Sequence, residues 1–120
     1  MSNQFPPVAV LNCAIITSDG IYECQDCTLD DARKIVKGDY GYISAIGHEA
    51  TAQILTELLG VEIPMNRIDF KQQNNQMALV FKLNGRIPEG KILSREEIEK
   101  IGYSFKTLYK LPKAYQVTHI

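Results

Sequence analysis

A chain of 120 residues, 45% hydrophobic and 22% charged, has the length and composition of one folded domain, residues 1–120 together, too short for a two-domain enzyme and too apolar for a disordered chain. Thirteen basic against 14 acidic residues leave a net charge of −1, which excludes the broad basic footprint of a duplex nucleic-acid binder but not a small anion held by a few convergent arginines. The odd count of 3 cysteines and the lack of a charged-then-apolar leader argue against a secreted disulfide framework and for a reducing cytoplasm; no apolar run approaches the roughly 18 residues of a membrane span.

In chain order, "VAVLNCAII" from Val8 to Ile16 is apolar on both faces, as expected of a central strand in a covered sheet. "TSDGIYECQDC" reads as a loop. Thr28, three residues before Asp31, opens a short amphipathic helix over "LDDARKIVK" that Gly38 stops. "YGYISAI" is a second strand. A helix from about Gly47 to Leu59 follows, with Ile54, Leu55, Leu58 and Leu59 as its buried stripe and Gly60 at its end.

"NRIDFK" and "MALVFKL" read as a hairpin across the polar turn "QQNNQ". Ser94 and Glu97 form a capping box before "REEIEKI", Gly102 ends that helix, and "YSFKTLYKL" is a last strand. The order β-α-β-α-β-β-α-β implies an α/β layered domain with a mixed, mostly parallel sheet covered by helices, its core about 8–111 and residues 112–120 a loose tail.

Within "SAIGHEATA", His48 stands where the second helix begins, beside the unpaired N–H groups and partial positive charge that make a helix start a phosphate site. Gly47 permits close approach of backbone to ligand, and Thr51 adds a hydroxyl one turn along. The same helix end disfavours an imidazolium, so a proton-donating histidine needs a carboxylate or the phosphate itself. Glu49 is expected to point away along the helix, leaving Glu89 in "GRIPEGK" as the better partner. From chemistry alone, an ordinary first-turn residue is the commoner fate of such a histidine. The start of an H-E-x-x-H zinc motif fails because position 52 is alanine.

Arg67 and Arg86 sit at strand or loop ends, where a planar guanidinium can take two phosphate oxygens or simply be solvated. Gly85, Pro88 and Gly90 give the Arg86 loop a defined shape. Cys24 and Cys27 make a C-x-x-C with no second pair nearby, so two ordinary thiols are the simpler reading than a redox or half-zinc site, although a zinc shared across a dimer stays open. Cys13 reads as a small core residue.

Taken together and in order, "LNCAIIT", "SAIGHEATA", "LLGVEIPMNRI", "ALVFKLNGRIPEGKILSREEIE" and "IGY" resemble the viral ring nucleases, a type III anti-CRISPR family of small archaeal-virus and phage proteins, in register from about Val10 to Leu111. The resemblance implies an α/β homodimer that binds cyclic tetra-adenylate, the second messenger of type III CRISPR defence, and cleaves it without metal or cofactor. By the same resemblance His48 is the catalytic histidine, Arg86 and Glu89 are the active-site arginine and glutamate, and Arg67 binds ligand. Asn12 and Cys13 fall where the family usually has asparagine then serine, so a hydroxyl contact is missing at Cys13. That departure keeps open a protein that only sequesters or senses the nucleotide, and fold alone leaves room for a host-interaction protein with no nucleotide at all.

Overall fold

The computed structural model describes residues 6–13, 16–88 and 91–112. Five strands and three helices follow one another as β1 (Val8–Leu11), β2 (Tyr22–Cys27), α1 (Leu29–Val36), β3 (Tyr42–Ser44), α2 (Glu49–Leu59), β4 (Met77–Leu83), α3 (Arg95–Ile101) and β5 (Tyr103–Lys110). The sheet order is β2-β5-β4-β1-β3. β1 lies between β3 and β4 and runs parallel to both, whereas β5 runs antiparallel to β4 and β2. The α/β reading and the mixed sheet therefore hold, with parallel and antiparallel pairings in equal number rather than mostly parallel.

Strand alternation divides the core in two. Val8, Val10, Leu79, Phe81 and Phe105 face the helices and pack with Ala32 and Val36 of α1, Leu55, Leu58 and Leu59 of α2, and Ile98 of α3. On the other face Ala9, Leu11, Ala78, Val80 and Leu108 form a smaller cluster, flanked by Tyr22, Ile43, Ala45 and Phe70. The expected apolar character of β1 on both faces is thus correct, but among the described residues helices cover only one of them.

The caps explain where helices begin and end. Thr28 accepts from the Asp31 amide, and Ser94 with Glu97 forms the full reciprocal capping box. Gly60 closes α2 in the left-handed region at φ 74°, where its N–H donates to the Thr56 carbonyl.

Three expectations are corrected. The first strand ends at Leu11, with Asn12 and Cys13 in a bend; Ala14, Ile15, Glu89, Gly90 and residues 113–120 lie outside the described residues. The stretch read as a loop contains β2, an edge strand whose side chains are largely exposed. It carries no apolar alternation, and its pairing with β5 holds it in the sheet.

"NRIDFK" is not a strand and makes no hairpin with β4. Its beginning is tied to the β3–α2 connection instead: the Asn66 side chain donates to the Ser44 carbonyl, the Asn66 amide to the Ile46 carbonyl, and Arg67 Nε to the Gly47 carbonyl at 2.8 Å. The glutamine-rich turn is also less exposed than its polarity suggests. Gln72 and Gln76 are buried, and their side-chain amides donate to the carbonyls of Gln76, Leu108 and Pro7.

Candidate functional site

Because β1, β3 and β4 are parallel, the segments that leave them, 12–13, 45–48 and 84–88, emerge at one edge of the sheet. That carboxyl edge is the usual ligand position in open α/β sheets. All the candidate residues among the described ones stand on these segments, on α2 or on the 62–67 stretch bound to them.

His48 is the N-cap of α2, extended at φ −130° and ψ 130°, and exposed. Its side chain makes no capping hydrogen bond, so the first-turn amides are not satisfied from that side chain. The backbone around it is held firmly. Ser44 Oγ donates to the Pro64 carbonyl at 2.6 Å, Thr56 Oγ1 bridges α2 to the carbonyl and amide of Ile63, and Arg67 grips the Gly47 carbonyl. A Cβ at Gly47 would meet Arg67 Cγ at 3.6 Å, an ordinary contact, so Gly47 keeps its neighbours close without needing special geometry.

Two hollows open beside this turn. One, of about 310 Å³, is lined by Asn12, Thr51, Phe81, Leu83, Gly85, Arg86 and Ile87. The other, of about 530 Å³, is lined by His48, Glu49, Ala50, Thr51, Gln53, Ile87, Pro88, Lys91 and Ile92. They share Thr51 and Ile87, so the fold brings Asn12, His48, Thr51 and Arg86 to adjoining hollows, with His48 lining one and Arg86 the other. Arg67 reaches the same turn through Gly47. Cys13, expected to be a small core residue, is exposed. Glu89, the proposed partner of His48, lies outside the described residues.

Two side chains were missed or misjudged from sequence. Glu49 points along the helix surface as expected, its carboxylate accepting from Gln53 Nε2 one turn on at 3.3 Å, yet it also lines the His48 hollow. Lys91 lines it too, and its ammonium is paired with Glu97, the capping-box residue of α3. Its signal was present, since Lys91 lies inside "GRIPEGK" just ahead of Ser94. The Lys91 hydrogen bond, with the Ser94 backbone N–H, holds the Glu97 carboxyl at about 2, far below the usual carboxylate range.

The cysteine pair separates. Cys24 and Cys27 are three apart on a strand and so face opposite sides of the sheet; Cys24 is exposed, while Cys27 packs under the helices and donates to the Thr28 carbonyl. Burial, with the Asp31 charge, pushes the Cys27 thiol up, away from a reactive thiolate. Among the described residues no group of three or more His, Cys, Asp or Glu side chains is placed to hold a metal ion. No described helix is long and apolar enough to cross a membrane.

Residues 8–105 match the STIV B116-like family, which spans all five strands and three helices up to the middle of β5. The chain belongs to this family. Relatives include protein YddF of Bacillus subtilis (strain 168), 40% identical over 105 residues that cover 87% of this chain and 97% of YddF. Protein 26 of Sulfolobus islandicus filamentous virus is 39% identical over 85 residues, covering 70% of this chain and 71% of that one. Among solved structures, B116 of Sulfolobus turreted icosahedral virus superposes with a TM-score of 0.75 at 24% identity, over 86% of this chain and 98% of its own, and so shares the fold. The family thus includes small viral proteins and a bacterial one of nearly the same extent.

Proposed function

We propose that this protein is a ring nuclease: a homodimeric phosphodiesterase that binds cyclic tetra-adenylate in the cytoplasm of a prokaryotic cell and opens the ring, so that CRISPR effectors lose their activator. The observation that carries the reading is the meeting of His48, Thr51, Arg86 and Asn12 on one surface at the carboxyl edge of three parallel strands. Phosphate suits the start of α2, where the His48 side chain leaves the first amides uncapped.

RNA supplies its own nucleophile. The 2′-oxygen attacks the adjacent phosphorus as its proton passes to water, the bond from phosphorus to the 5′-oxygen breaks, and that oxygen takes a proton from His48. Arg86 offsets charge on the five-coordinate centre, and Glu89 orients His48. The products are a 2′,3′-cyclic phosphate and a 5′-hydroxyl, with solvent water taking the 2′ proton and His48 supplying the 5′ one. A two-fold dimer presents the site twice, matching opposite phosphates of a four-membered ring.

A second reading, a protein that sequesters the ring without cutting it, is favoured by two features: His48 and Arg86 line separate hollows that share only Thr51 and Ile87, and Cys13 stands where the family resembled above usually has serine. Product analysis separates the two. The nuclease yields linear oligoadenylates ending in 2′,3′-cyclic phosphate in molar excess over protein. The sequestering protein yields intact ring protected in a fixed ratio to protein and no linear product.

A further inference from the structure

We infer that the hollow lined by His48 is a second phosphate subsite whose cation is Lys91, held by Glu97 until an anionic ligand enters. This rests on the nucleotide reading above and goes beyond it, because neither Lys91 nor Glu97 has a role in that chemistry.

Four observations converge. Lys91 lines the hollow that contains His48, next to the one lined by Arg86, the two sharing Thr51 and Ile87. The Lys91 amide donates to the Pro88 carbonyl at 3.1 Å, so the side chain starts close to Ile87 and Pro88 in the wall of the hollow. The Lys91–Glu97 pair is open to water, with side-chain exposures of 48% and 37%, so a phosphodiester can reach the ammonium and compete with the carboxylate for it. Finally, Glu97 is left well served when Lys91 departs, since its carboxylate accepts from the Ser94 amide at 2.9 Å within the capping box.

The same hollow is also lined by Glu49, whose carboxylate opposes an anion. Lys91 therefore supplies the attraction there. The ligand class is an oligonucleotide with successive phosphodiesters, one against Arg86 in its hollow and the next against Lys91 in the adjoining one.

The test compares Lys91→Gln and Glu97→Gln in the full chain, titrated with cyclic tetra-adenylate and, in parallel, linear tetra-adenylate at low salt. Glutamine at position 97 preserves a capping box and removes only the charge. The subsite requires opposite signs: Lys91→Gln weakens binding roughly fivefold, whereas Glu97→Gln, which frees the ammonium, tightens it by a similar factor. If both substitutions weaken binding, or neither changes it, the pair is only a strap holding the loop to α3 and the subsite is overturned. If wild type ignores the ring yet binds the linear tetranucleotide with the opposite-sign pattern, the ring reading fails while the subsite stands. Unfolding temperatures of both variants within a few degrees of wild type show that the comparison is made between folded proteins.

Discussion

At the scale of single residues, Glu97 is the clearest case of one side chain serving two structures. It closes the capping box of α3 and pairs with Lys91 at the edge of the candidate site. Its carboxyl is lowered to about 2 from an ordinary 4.5. The sign of the consequence follows: above the ordinary value the group is ionised in both states and its contribution to stability is complete. As pH falls through about 4.5 toward 2 the unfolded chain takes up the proton first, and that contribution is lost. The difference in melting temperature between wild type and Glu97→Gln is therefore expected to shrink as pH is lowered from about 6 to about 3, and a difference independent of pH would contradict the assignment. Asp26 and Glu99, held low by Lys106 and Arg95, add to the acid sensitivity of both proteins and cancel in the comparison.

At the scale of elements, glycines that look alike in sequence do different work. Gly60 ends α2 at φ 74°, so Gly60→Ala is expected to destabilise by roughly 1 kcal/mol, read as a lower urea midpoint at unchanged slope. Gly47→Ala meets only ordinary contact at 3.6 Å and is expected to leave that midpoint in place. Equal losses at the two sites would overturn the distinction.

Signals of this local kind made much of the fold legible from sequence. Thr28, Ser94 with Glu97, Gly60 and Gly102 marked helix ends that the structure places within a residue or two. What was not legible depends on long-range partners. β2 is polar and exposed, and only its six-residue pairing with β5, some 80 positions away, makes it a strand. "NRIDFK" has strand-like residues, but Asn66 and Arg67 bond to the β3–α2 turn instead. At the site, His48, Thr51 and Arg86 could be named from residue type and local context, and Asn12 only through the family resemblance. Their division between two adjoining hollows, and the presence of Glu49 and Lys91, required the loops to be placed in space.

At the scale of the whole molecule, three parallel strands bring their carboxyl ends together, helices cover one face, and the 62–67 stretch fastens the turn that carries His48. The arrangement delivers side chains from distant parts of the sequence to one surface. Relatives in a bacterium and in viruses carry much of the same domain, so a useful chemistry would have to be contained within it. A ring nuclease meets that condition, because its substrate supplies the nucleophile and the protein has to supply only binding, charge balance and a proton.

The most direct measurement is multiple-turnover cleavage of cyclic tetra-adenylate in EDTA by wild type and His48→Ala in parallel, with binding of the ring measured for both. The expected result is many rings opened per wild-type protein molecule and a rate lower by roughly two to four orders of magnitude in the variant, with binding largely retained. Cleavage by His48→Ala at the wild-type rate would contradict the role of His48, and a wild type that binds the ring without opening it would make the protein a sponge.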